Sequence, residues 1–221
     1  MSRSETAVII PAAGSGERLG IGTPKALAEI SGQTLIEHAC ANIHEVAGVV
    51  VVAAPVGYEA QFRTLLNDPS IIVVAGGALR SQSVANALQA LPENINYVLV
   101  HDAARPFAPK ELAERVLGEL RAGENAVVPA LDVVDTIKVV DAKGYVVATP
   151  DRANLRAIQT PQGFAVDVIK QAHAGGGDAT DDAALVADLG VKVKVISGSP
   201  RARKITTLDD LTWARELVSH S

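Results

Sequence analysis

Pro11-Ala12-Ala13-Gly14-Ser15-Gly16-Glu17-Arg18-Leu19-Gly20 gathers glycines and an arginine directly behind a short β-branched run, Thr6–Ile10. Glycines let backbone N–H groups come close to an anion, and a turn of such groups makes a nest for phosphate. Two common phosphate-binding patterns fail here. The Gly-x-x-x-x-Gly-Lys-Ser/Thr loop is absent, and Gly14, Gly16 and Gly20 are spaced one residue too widely for Gly-x-Gly-x-x-Gly. The next candidate strand, Val49–Ala53, also ends without the acidic residue that a dinucleotide ribose needs. The loop is cationic instead: Arg18 lies inside it, and Lys25 follows a stiffening Pro24. Two positive charges beside a glycine nest suit a triphosphate whose charge shifts during reaction. A glycine turn with two solvated charges is the competing reading of the same residues.

Other chemistry-bearing residues are scattered. Asp102 and Arg105 follow a predicted strand, Tyr97–His101. A carboxylate there can order a ribose hydroxyl, a substrate hydroxyl or metal-bound water, or simply cap a loop, and the residues alone leave this open. His101 reads as structural rather than as a general base, and His38, His44, His173 and His220 have no ligand spacing and read as surface or helix positions. Cys40 falls on an apolar helical face and reads as core. Lys204, within Arg201-Ala202-Arg203-Lys204-Ile205, looks like part of a solvated basic run.

These residues need a scaffold, and the pattern predicts one. Strand-like runs (Thr6–Ile10, Val49–Ala53, Ile71–Val74, Tyr97–His101, Ala126–Leu131, Val191–Ile196) alternate with helix-like ones (Thr34–Val46, Tyr58–Leu66, Ser83–Leu91, Lys110–Arg121, Ala165–His173, Asp181–Leu189, and a last helix after Thr207). Such alternation predicts an α/β protein with a doubly wound, mostly parallel sheet, in which ligands bind at the carboxyl ends of strands. Thr34-x-x-Glu37 forms a capping-box pattern. One segment breaks the rhythm: Thr136–Val140 and Tyr145–Thr149 flank Asp141-Ala142-Lys143-Gly144, a hairpin signature. Two strands alone are marginal in water, so this protruding β-hairpin arm, at about residues 132–154, is expected to pack on something else, such as a second subunit. The whole chain, arm included, reads as one domain over residues 1–221.

Composition narrows the function classes. The chain has 221 residues, 48% hydrophobic but 3% aromatic, with 36 Ala and 28 Val, a set suited to buried parallel strands under close-packed helices. A formal charge of −5 and few aromatics argue against a nucleic-acid binder. No apolar stretch approaches a membrane span, no signal peptide precedes the first strand, and a single cysteine allows no internal disulfide. A reducing cytoplasm is the expected home.

Pro-Ala-Ala-Gly-x-Gly-x-Arg, then Pro24-Lys25, then His101-Asp102-Ala103-Ala104-Arg105-Pro106 closely resembles the 2-C-methyl-D-erythritol 4-phosphate cytidylyltransferases. The first motif marks the wider nucleotidyltransferases, and the last narrows it greatly. Further matches at Gly76-Gly77, Arg80, Ser83-Val84, Asp135-Thr136, Asp151-Arg152, Thr160-Pro161-Gln162, Thr180-Asp181 and Lys204-Ile205 spread the resemblance over the whole chain. It implies a Rossmann-like nucleotidyltransferase fold, a homodimer with exchanged β-arms, Mg²⁺ or another divalent cation, and CTP plus a polyol phosphate as substrates.

By that resemblance Arg18, Lys25 and Lys204 supply catalytic positive charge, with Arg201 and Arg203 left as electrostatic background. Pro11, Ala12, Ala13, Gly14, Ser15, Gly16, Gly76, Gly77, Ala78, Ser83, Asp102 and Ala103 hold CTP. Cytosine would be read by backbone groups and Ser83, without a stacking platform; Ala78 replaces an acidic residue of relatives, a change that matters little if the contact is made by backbone. The acceptor falls to Asp102, Arg105, Thr136, Arg152, Thr160 and Thr180, with Thr136 and Arg152 coming from the partner if the arms exchange. The metal is held mainly by CTP phosphates, with Asp102 a candidate ligand. A ribitol 5-phosphate cytidylyltransferase is the nearest alternative, and a non-catalytic nucleotide-binding module a more distant one.

Overall fold

Thr6, Ala7, Val8, Ile9 and Ile10 are all fully buried, as a strand must be when helices cover both faces of its sheet. In the computed structural model, which describes residues 3–16, 19–20, 22–177 and 179–219, these residues form β1 (Thr6–Pro11), at the centre of the sheet. A two-stranded ribbon, β2 (Glu29–Ile30) and β3 (Gln33–Thr34), leads into α1 (Leu35–Ile43). Thr34 and Glu37 make the reciprocal bonds of a capping box at its start. There follow β4 (Val49–Ala54), α2 (Glu59–Leu66), β5 (Ile71–Ala75), α3 (Arg80–Gln89), β6 (Tyr97–Val100) and α4 (Lys110–Arg121). Strands β5, β4, β1 and β6 run parallel in that order.

The far half of the sheet is mixed. Beyond β7 (Ala126–Asp132) the chain forms the hairpin β8 (Val139–Val140) and β9 (Val146–Ala148), then β10 (Arg156–Ile158) and β11 (Gln162–Ala165). Strand β11 lies antiparallel between β6 and β7. Strand β10, joined to it through the cis Thr160–Pro161 bond, is also antiparallel to β7. After α5 (Val166–Ala174) and α6 (Asp182–Asp188), β12 (Lys194–Ser197) joins β7 in parallel. The alternation pattern misses β10 and β11: Arg-Ala-Ile and Gln-Gly-Phe-Ala are short and poor in β-branched residues, and pairing makes them strands, β10 with β7 and β11 with both β6 and β7.

Side-chain alternation splits the core in two. Val8, Ile10, Val50, Val52 and Leu99 pack with Ile36, Cys40, Phe62 and Val116 of α1, α2 and α4. Ala7, Ile9, Val51, Val98 and Val100 face the opposite way, toward Val84, Ile169 and Val186 of α3, α5 and α6. A third cluster seats α7 (Leu208–Ser219) on β2, with Ile30, Leu35, Ile205, Leu211 and Ala214 buried together. Burial and the neighbouring charges of Asp68 and Glu37 push the Cys40 thiol up to about 12, so it is an inert core residue.

The hairpin contrasts with all this. Between residues 132 and 158 no side chain is buried, and Val134, Tyr145, Val146 and Val147 are exposed. Asp141 Oδ1 accepts from the Lys143 and Tyr145 N–H groups and closes the turn at Gly144. No helix of the described residues is long and apolar enough to cross a membrane.

Candidate active site

A cavity of about 490 Å³ opens at the carboxyl ends of β1 and β6. Its first wall is the glycine loop after β1: Pro11, Ala12, Ala13, Gly14, Ser15 and Gly16 line it, with Lys25 beyond. The Lys25 N–H donates to Gly14 O (3.2 Å), folding the loop back on the lysine. Gly16 has φ +74°, and a Cβ there would lie 3.0 Å from Lys25 Cβ, so glycine is required twice over. Arg18 lies outside the described residues.

The second wall is the turn between β5 and α3, where Gly77, Ala78, Leu79, Arg80 and Ser83 face the cavity. Gly76 sits behind it: an added Cβ would meet Ala13 Cβ at 2.7 Å and both Ala54 O and Ser83 Oγ at 3.0 Å. The turn's N–H groups are already used. Gly77 N–H donates to Ser83 Oγ (3.0 Å), and Ala78 N–H donates to Gln82 Oε1 (3.0 Å). Ser83 closes the turn from the other side, its N–H and hydroxyl both donating to Leu79 O (3.1 Å).

The third wall comes from the end of β6 and from a strap before α7. Asp102, Ala103 and Ala104 line the cavity opposite Lys204 and Thr206. Three cations converge on Asp102: Lys204 Nζ at 2.8 Å, Arg80 Nε at 3.3 Å and Arg105 Nε at 3.8 Å. Burial alone would raise its pKa, but Arg80, Lys204 and Arg105 hold it well below the usual carboxylate range. Asp102 N–H donates to Thr160 Oγ1 (3.0 Å), which lies 3.1 Å from His101 Nδ1. Burial lowers the His101 pKa to about 4, so the ring is neutral near pH 7 and Nδ1 can accept the threonine proton.

The strap is built, not merely basic. Ile205 N–H donates to Ala104 O (2.8 Å), and Arg105 Nη1 donates to Ala202 O (2.6 Å). Asp210 accepts from the backbone N–H and hydroxyl of both Thr206 and Thr207, and from Arg203 Nη2 at 2.7 Å. The Arg203 guanidinium also lies over the Trp213 ring, 4.9 Å from its centroid. Arg203 is therefore a structural clamp and not electrostatic background. In sequence it is one of a basic run, because its carboxylate partner lies seven residues on, at the start of a helix.

Of the residues expected to bind the acceptor, Asp102 lines the cavity and the others do not. Arg105 is directed at Ala202 O and Ile158 O. Thr160 is buried beneath Asp102. Thr180 is exposed ahead of α6, Thr136 is exposed before β8, and Arg152 donates to Val134 O (2.6 Å). Arg80, in sequence only part of a motif, lines the cavity and bridges Asp102 to the buried Asp182. His173, read as a surface or helix position, is a buried helix residue paired with Asp182. Among the described lining residues Lys25, Arg80 and Lys204 are cationic and Asp102 is the one carboxylate, in a chain of net charge −5.

An α/β sheet carrying a glycine cradle and clustered cations at its strand ends defines a nucleotidyltransferase. The model of the 2-C-methyl-D-erythritol 4-phosphate cytidylyltransferase family matches residues 6–220. A relative of that name from Rhodococcus jostii (strain RHA1) is 48% identical over 213 residues, 95% of this chain and 93% of the relative. The crystal structure of the Thermus thermophilus enzyme of that name superposes with TM-score 0.81 at 38% identity, covering 97% of this chain and 99% of that one. A 4-diphosphocytidyl-2C-methyl-D-erythritol synthase structure from Anaerococcus prevotii DSM 20548 gives TM-score 0.86 at 30% identity over 98% and 97% of the two chains. The chain belongs to the 2-C-methyl-D-erythritol 4-phosphate cytidylyltransferase family.

Proposed function

We propose that the protein joins CTP and 2-C-methyl-D-erythritol 4-phosphate to give 4-diphosphocytidyl-2-C-methyl-D-erythritol and pyrophosphate, in non-mevalonate isoprenoid synthesis. The observation that carries this reading is the set Lys25, Arg80 and Lys204 around a glycine cradle, in a chain of this family. An acceptor phosphate oxygen forms a bond to the α-phosphorus of CTP as the bond to the bridging oxygen of pyrophosphate breaks. The attacking phosphate is already an anion, so no general base is needed, in keeping with a neutral, inward-facing His101. Catalysis is then positioning plus neutralisation of charge at the five-coordinate phosphorus. Arg18 and Lys25 serve the triphosphate; Lys204, held ready by Asp102, serves the attacking phosphate.

The carbonyl oxygens near Gly76, Gly77 and Ala78 receive the cytosine amino group, with Ser83 fixing the turn. A divalent cation, which we take to be Mg²⁺, fits as a passenger on the nucleotide. Among the described residues no three His, Cys, Asp or Glu side chains form a metal cage, and Asp102 is shared among cations. When bound, the cation neutralises triphosphate charge. Its protein ligand, if one is used, is Asp102.

Thr136 and Arg152 belong to the exposed hairpin, so we assign them to the partner's acceptor site in a homodimer with exchanged arms at about residues 132–154. Bare Val134, Tyr145, Val146 and Val147 supply the apolar surface such a dimer covers. Thr160 and Thr180 complete the acceptor side, Thr160 by orienting Asp102. We place this activity in the cytoplasm, in one domain per chain, with neither nucleic acid nor membrane as partner. The test is a panel of polyol phosphates with CTP and Mg²⁺, read as pyrophosphate release. Turnover of 2-C-methyl-D-erythritol 4-phosphate is expected, and turnover of ribitol 5-phosphate instead overturns the assignment.

A further inference from the structure

Asp182 is a carboxylate with 1% exposure, and it does not line the cavity. Burying an ionised carboxylate is costly unless every oxygen finds a donor. Here both do. Oδ2 accepts from Arg80 Nη1 at 2.7 Å, and Oδ1 lies 3.0 Å from His173 Nε2 on α5. Arg80 is gripped a second time, its Nε donating to Asp102 Oδ1 at 3.3 Å. A planar guanidinium held at two of its nitrogens by two separate carboxylates has its plane fixed.

The base of this device is rigid as well. Gln162 on β11 donates from Nε2 to Asp181 Oδ2 (2.8 Å) and accepts the Ala183 N–H on Oε1 (3.2 Å). The start of α6 is thereby pinned to the sheet, and Asp182 is aimed by backbone on one side and by His173 on the other. A chain of polar contacts thus runs from His173 through Asp182, Arg80 and Asp102 to Lys204, from beneath the sheet into the cavity. Replacing a buried ion pair by apolar residues is often neutral for stability, so stability alone is a weak reason for this arrangement. A mobile arginine at this wall would be drawn toward any bound triphosphate. Asp182 counters that pull.

We infer that Asp182, braced by His173, is a positioning residue that fixes Arg80 against the wall and so sets the nucleotide end of the cavity. The inference rests on the CTP reading of that cavity. Steady-state kinetics with CTP and 2-C-methyl-D-erythritol 4-phosphate test it on Asp182→Asn, Arg80→Ala and the double variant. Asp182→Asn should raise KM for CTP about tenfold, with kcat within about threefold and the acceptor KM within about twofold of wild type. The double variant should be no worse than Arg80→Ala, because the two residues act as one unit. Should Asp182→Asn fail to fold, His173→Leu, which removes only the brace, should raise KM for CTP about threefold, and His173→Gln, which keeps an N–H donor, should restore it. An unchanged KM for CTP in a folded variant, or effects that simply add in the double variant, overturns the inference. A wild-type protein that does not consume CTP overturns the functional reading instead.

Discussion

Asp102 gathers three cations on one carboxylate, and that geometry separates what each nearby substitution should do. Lys204 is 40% exposed, so its pair with Asp102 contributes at most about 1 kcal/mol to folding. Lys204→Ala should therefore keep its melting temperature while kcat falls about 100-fold, a loss typical of removing one charge-stabilising group. Lys25→Ala should behave alike, and stopped-assay pyrophosphate release measures both. His101 answers to pH. Its folded pKa, near 4, lies below the usual value of about 6.5, so the unfolded chain binds the extra proton between those limits. Stability is then complete above about pH 6.5 and falls by up to about 1.4 kcal/mol per unit as pH drops toward 4. His101→Gln should flatten that slope in urea titrations; an unchanged slope sinks the assignment. The cradle residues and Lys25 were legible because they are neighbours in sequence. Arg80 and Asp182 were not, being 102 positions apart and joined only by the fold.

Among the elements, the two turns that meet behind the cradle leave the least room. Gly76→Ala drives a methyl into Ala13, Ala54 and Ser83, and the cheapest relief is to shift the β5–α3 turn. We expect a loss of about 1–3 kcal/mol in chemical denaturation together with a raised KM for CTP. The strap before α7 is the other exacting element. Asp210 is held well below the usual carboxylate range because hydrogen bonds from Thr206, the Arg203 guanidinium and Thr207 outweigh its burial. Asp210→Ala should cost about 2 kcal/mol, as for a lost helix cap, and lower activity by loosening Lys204. The parallel strands were readable from their apolar runs. Strands β10 and β11 were not, because Arg156-Ala157-Ile158 and Gln162-Gly163-Phe164 take strand form from their neighbours, β7 for the first and β6 with β7 for the second, rather than from their own composition.

Across the whole molecule, a net charge of −5 coexists with a cavity walled by Lys25, Arg80 and Lys204. Net charge describes the solvated exterior; the site depends on where the cations stand. The exposed hairpin carries the largest test. If each site borrows Arg152 from its neighbour, Lys25→Ala and Arg152→Ala subunits, both severely impaired alone, should regain up to about a quarter of wild-type activity when mixed and allowed to exchange, since one of the two sites in each mixed dimer is intact. Absence of recovery in verified mixed dimers removes the shared site.

Trp213 is the sole tryptophan of the chain, and the Arg203 guanidinium sits over its ring, one residue from Lys204. Its fluorescence is thus a native optical gauge of the strap. A ligand that draws Lys204 off Asp102 must tug on Arg203 as well, and a cation moving over an indole shifts its emission. Titrating CTP while watching that single fluorophore follows the site assembling, with no label introduced.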